Sequence, residues 1–138
     1  MIGALFVCLL IIYRGMDWSA QRWGERWQIR SVDDWASFPV LLLWFSVLSF
    51  VAAPLGNTIS RHYEHQADIY GLEVIHGIVP HPTAAAVAAF QKLGEVNLSD
   101  PKPSRLIELW LYDHPPLNKR IEFAQTYDPW RTGQPQFV

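Results

Sequence analysis

Residues Pro39 to Leu55 read PVLLLWFSVLSFVAAPL, and they sit inside a longer stretch, Trp35 to Ser60, with no Asp, Glu, Lys or Arg. A helix needs about 20 predominantly apolar residues to cross the hydrocarbon core of a bilayer. With its uncharged flanks this run reaches that length, so it predicts a membrane-spanning helix over residues 38–60. A buried helix of a soluble domain meets the same criterion and stays open as the alternative.

Upstream, MIGALFVCLLIIY (residues 1–13) is apolar but short for a span, and its basic residue, Arg14, follows the run. A secretory signal carries its positive charge ahead of the apolar segment, so a signal peptide does not fit. The run reads as the second part of a spanning helix. Between the two runs, residues 14–34 read as an interfacial connector. Tryptophans alternate there with four Arg and four acidic residues. Indole rings favour the headgroup layer, which takes an apolar body together with an N–H donor. The connector's charges cancel, so they do not orient the hairpin. If both runs span, the connector lies on one side of the bilayer and residues 1 and 60 on the other.

The remaining composition narrows the possibilities. The chain has 138 residues, half of them apolar, with a net charge of −2, which gives no electrostatic footprint for nucleic acid. Its one cysteine, Cys8, excludes an intrachain disulfide and reads as a small core or lipid-facing residue.

Beyond residue 60 the pattern becomes helical and polar. HPTAAAVAAFQKLG predicts a helix that starts at Pro82 and Thr83 and stops at Gly94. VNLSDPKPS is a loop and SRLIELWLY a short helix. HPPLNKRIEFAQTYD is a last helix, with Pro115 and Pro116 in its first turn and Leu117, Ile121 and Ala124 on one face. The segment 129–138 reads as a loosely held tail. The expected fold is all-α: a membrane helical hairpin (1–60), a small helical C-terminal region (61–128), and the tail.

Polar residues concentrate just past the apolar run, in SRHYEHQADIYG (residues 60–71). On a helix, Asn57, Arg61, Glu64 and Asp68 fall within an arc of about 60°. A carboxylate at membrane depth or edge is unfavourable unless paired or metal-bound, which makes it a functional candidate. A plain ion pair of Arg61 with Glu64 on a helix reaching water explains the same stripe. His62 and His65 point about 160° and 100° away from Glu64, too far to share one metal with it on a single helix. His76 and His81 flank a turn and carry no defined role. His114 precedes two prolines that restrict the backbone around it, and Arg120 follows six residues later. Such a pair suits donation to a developing oxyanion, though a capping His with a surface Arg also fits.

The block Ser60-Arg61-x-x-Glu64-x-x-Ala67-Asp68, followed by His114-Pro115 and Arg120, resembles the C-terminal half of the integral-membrane zinc metallopeptidases of the CAAX-prenyl-protease type, a group that includes the HtpX proteases. With Asn57 and the apolar segment, the resemblance covers residues 40–123. It implies that Glu64 is the third protein ligand of one catalytic zinc ion and that Asp68 orients a histidine ligand. It implies that His114 and Arg120 stabilise the tetrahedral intermediate or hold the substrate backbone, and that Asn57 and Arg61 line the site. The reaction it implies is hydrolysis of a peptide bond in a peptide or protein substrate by metal-activated water.

Such enzymes also require His-Glu-x-x-His, which supplies two ligands and the general base. None of the five histidines stands in that motif. In the family it lies on the helix preceding the membrane hairpin. The chain therefore reads as the C-terminal portion of a larger membrane protease, inactive without its N-terminal half. The expected setting is a bacterial inner membrane, with lipid contacts and the site on the cytoplasmic side. The alternatives are a complete small membrane protein that keeps the fold as a non-catalytic binding or regulatory module, and a soluble or peripheral helical protein with a chance match.

Overall fold

The structure is a computed structural model that describes residues 2–131 and 133–138; Met1 and Thr132, which fall in the expected first helix and tail, lie outside the described residues. Five α-helices follow in order: α1 (Ile2–Trp27), α2 (Phe38–Ile75), α3 (Pro82–Asn97), α4 (Arg105–Leu111) and α5 (Leu117–Thr126). Short 3₁₀ turns occupy Trp35–Ser37 and Pro129–Arg131, and no strand occurs among the described residues. The all-α expectation holds. Both α1 and the segment Trp35–Ile75 are long and apolar enough to cross a membrane.

The chain divides into two compact units, residues 1–53 and 54–138. The boundary expected at residue 60 instead lies inside α2, because the helix carries on unbroken from the apolar run into the polar block.

In the first unit, the connector expected over 14–34 is helical as far as Trp27. The reason is periodic. Ile12, Met16 and Ser19 continue one buried face at i, i+4 and i+7 straight past Arg14. Ile12 and Met16 meet Ile29 and Val40, with Leu41, Trp44 and Leu48 packed alongside. Gly15 lets the Trp44 ring lie directly on α1, since any Cβ there would overlap the indole. The Trp44 indole Nε1 then donates to Ser19 Oγ at 3.0 Å. The helix ends at Gln28, whose left-handed backbone (φ 57°) lets Ile29 N–H reach the Gly24 carbonyl at 2.8 Å. Asp34 caps the following turn, and the N–H groups of Ala36 and Arg30 hold its carboxyl below the usual range.

The second unit is built on the end of α2. At 38 residues, α2 has more than the roughly 20 residues that a bilayer crossing needs. α3 packs on α5, and Gly94 leaves room for Leu117, whose Cδ1 a Cβ would meet at 2.5 Å. Gly94 is thus not the expected helix stop. α3 runs to Asn97 and ends at Leu98, which takes the left-handed conformation (φ 50°). Pro115 and Pro116 precede α5 rather than forming its first turn. Leu117 and Ala124 are buried as the periodicity predicts.

The tail is not loosely held. Glu73, only 2% exposed, accepts from the Tyr127 hydroxyl at 2.5 Å and from the backbone N–H groups of Gln136 (2.6 Å), Phe137 (2.6 Å) and Val138 (3.1 Å). A buried carboxylate needs such donors, and the tail supplies them. Burial, the hydrogen bond to Glu73 and its negative charge together push the Tyr127 hydroxyl up to about 12.

Candidate functional site

One face of α2 meets the segment from α4 to α5. Glu64 stands at the centre: His114 Nδ1 lies 3.2 Å from its Oε1, and Arg120 Nη2 lies 3.8 Å from its Oε2. Asp68, one turn further along α2, holds Arg120 by both edges, from Nε to Oδ2 at 2.8 Å and from Nη2 to Oδ1 at 2.5 Å. The Phe90 ring of α3 lies under the guanidinium, 4.5 Å from Cζ. Four of the residues singled out in the sequence, Glu64, Asp68, His114 and Arg120, therefore converge across some fifty residues of chain.

The two others converge on the backbone instead. Asn57 Nδ2 donates to the Trp110 carbonyl at 2.7 Å. Arg61 Nη1 donates to the carbonyls of Glu108 (2.9 Å) and Tyr112 (2.5 Å), and Nη2 donates to Thr58 Oγ1 at 2.9 Å. The last carbonyls of a helix lack intrahelical partners, and a cation there also meets the negative end of the helix dipole. Asn57 and Arg61 thus cap α4 and fix the peptide that leads into Asp113 and His114.

The polar residues border a cavity of about 550 Å³. Glu64, His114 and Arg120 form one part of its lining, and Leu93, Leu111 and Leu117 supply apolar wall. Glu64 and His114 both remain accessible, at 34% and 59% of the side chain, whereas Asp68 (6%) and Arg120 (12%) are enclosed. The accessible pair can engage a ligand while the enclosed pair holds its position.

The other histidines lie elsewhere. His65 packs edge-on against Phe123 at 4.5 Å, His62 lies beside Tyr63, and His76 stacks on Trp130 at 3.5 Å. His81 precedes α3 with φ 56°. Among the described residues no three His, Cys, Asp or Glu side chains come together to hold a metal ion. Asp68, expected to orient a histidine ligand, presents both oxygens to Arg120.

Sequence reasoning missed three contributors. Phe90 was hidden in an alanine-rich helix. Glu108 forms an ion pair with Lys119 at 2.6 Å that links α4 to α5. Glu73 gave no signal, since most of its partners are backbone N–H groups.

A Glu and an Asp on α2 thus face a His-Pro turn and an Arg. The chain belongs to peptidase family M48, whose model matches residues 1–128. It is similar to the uncharacterized metalloprotease YhfN of Bacillus subtilis, at 40% identity over 92 residues, covering 67% of this chain and 20% of that protein. It is also similar to a protease HtpX homolog of Streptococcus gordonii, at 28% identity over 109 residues, covering 65% of this chain and 35% of that protein. The chain thus spans a fifth to about a third of the length of these curated relatives. No solved structure matches it.

Proposed function

We propose that this chain supplies the C-terminal share of the active site of a membrane-bound zinc metalloendopeptidase, similar to the CAAX-prenyl-protease and HtpX type. The observation that carries this reading is the placement of Glu64 between His114 and Arg120. Zinc would be held by Glu64 together with a His-Glu-x-x-His segment outside these 138 residues, and its chemistry is the activation of water toward a peptide carbonyl. The chain is inactive without that segment.

Within the chain, the roles divide by accessibility. His114 stands open on the cavity beside Glu64, where an imidazole N–H can donate to the carbonyl oxygen of a bound peptide as it gains charge. Arg120 is held by Asp68 and points Nη2 toward Glu64, so its charge is fixed in direction before substrate arrives. Asn57 and Arg61 hold the loop that carries His114. The two long apolar helices support a membrane setting; a bacterial inner membrane with the site on the cytoplasmic side is part of this proposal.

The test is made in the longer protease that contains this segment. Glu64→Ala should lose both zinc and peptidase activity. His114→Ala should keep zinc and lose turnover, as for a residue that acts mainly in the transition state. Loss of zinc from His114→Ala would overturn this division of roles. A second reading, a non-catalytic peptide-binding derivative, is favoured by the lack of any three converging ligands among the described residues. Peptide binding by the purified chain that is unaffected by a zinc chelator would support it.

A further inference from the structure

We propose that α4 is a membrane-surface helix, with its apolar face seated in the lipid interface beside the point where α2 leaves the bilayer. This rests on the membrane reading of α2 and goes beyond it, since it concerns a second contact with the lipid.

Three observations carry the proposal. First, α4 has a lopsided surface. On a helical projection Leu106, Ile107, Leu109, Trp110 and Leu111 cover an arc of about 200°, and Arg105 and Glu108 share the remainder. Leu106 is 71% exposed and Ile107 45%. The Glu108 charge is turned inward, its side chain 17% exposed and paired with Lys119 of α5. The outer face is therefore almost free of charge, a poor surface for water and a good one for the acyl boundary.

Second, α4 is tied to one height on α2. Asn57 holds the Trp110 carbonyl, and Arg61 holds those of Glu108 and Tyr112. These anchors begin two residues past Leu55, the end of the apolar run. Leu55 (72%) and Ile59 (59%) are exposed at this height on the opposite face of α2, so the apolar surface of that helix reaches the level of α4. Third, Trp110 lies at the centre of the apolar arc, and indole is the side chain that favours the headgroup boundary.

Nitroxide labelling of the whole chain tests this in phosphatidylcholine–phosphatidylglycerol vesicles. Cys8→Ser provides the background, and single labels are placed at Leu106→Cys and Ile107→Cys. Val51→Cys in the apolar run and Lys92→Cys on α3 serve as references. Collision rates with oxygen, which concentrates in lipid, and with a nickel chelate, which stays in water, are then compared. The ratio of oxygen to nickel collisions at 106 and 107 should lie closer to that at 51 than to that at 92. A ratio matching residue 92 places α4 in water and overturns the proposal. Shielding from both reagents means that protein covers the helix, from a second copy or another segment, and also overturns it. Water-like behaviour at residue 51 itself would show that the membrane reading, and the proposal with it, has failed.

Discussion

Arg120 grips Asp68 by both edges of its guanidinium while its face rests on Phe90, so a cation on α5 is locked to α2 in a nearly dry setting. Removing one member of such a pair leaves an uncompensated charge. Asp68→Ala is expected to destabilise the fold by about 3–5 kcal/mol. Lys119→Ala, which breaks an ion pair whose lysine is half exposed, is expected to cost less than about 1 kcal/mol. Urea titration in mild detergent, followed by tryptophan fluorescence, compares the two.

Arg61→Ala removes the cap from α4. Hydrogen bonds to a charged group contribute about 1.5–3 kcal/mol, so amide exchange at the end of α4 and in the Tyr112–His114 segment should accelerate by roughly ten- to hundredfold. Arg61→Lys should recover only part of this protection, because an ammonium lacks the planar fork that reaches two carbonyls at once. Exchange in α1 should stay unchanged, which separates local loosening from global unfolding.

The tail gives a pH prediction. The Tyr127 hydroxyl is raised to about 12 in the folded chain, above the ordinary value of 10. A raised pKa means that the folded state favours the protonated phenol. Its contribution is fully present below about pH 10 and is lost as the pH climbs through about 12. Residues 134–138 should therefore detach over that window, seen as faster proteolysis of the tail in short alkaline pulses. Tyr127→Phe should abolish that pH step, and the tyrosinate absorbance that disappears should be the portion titrating near 12.

Two glycines on α1 and α2 should behave oppositely. A Cβ at Gly15 meets the rigid Trp44 ring, whereas one at Gly56 meets nothing within 4 Å. Gly15→Ala should destabilise the first unit by about 1–3 kcal/mol through overpacking. Gly56→Ala should be neutral or stabilising by up to about 1 kcal/mol through helix propensity. Thermal unfolding in detergent, read by circular dichroism, distinguishes them.

The parts of the molecule differ in how far they could be read from sequence. The long apolar helix was legible from its uncharged run, and the α5 face because apolar periodicity reports burial directly, as Leu117 and Ala124 show. The extension of α1 to Trp27 was obscured by its charges, of which Arg14, Asp17 and Glu25 lie on faces away from Ile12 and Met16. Glu64, Asp68, His114 and Arg120 could be named together only through family resemblance, since spacing on one helix says nothing about a residue fifty positions away. The partner of Asp68 was not legible because the direction of Arg120 depends on where α5 begins, which the two prolines set by remaining outside it. The tail was misread for a related reason: its anchors are peptide N–H groups, which every residue except proline has.

The unbroken course of α2 has a further consequence. Leu55 and Glu64 are nine residues apart on one helix, which sets the carboxylate about 14 Å along the axis from the last residue of the apolar run. The helix acts as a ruler. On the function proposed above, the bond to be cut would have to come to that height above the lipid, whatever its flanking residues. Selection among membrane substrates would then begin with how far a cleavable segment stands off the bilayer, before any side chain is inspected.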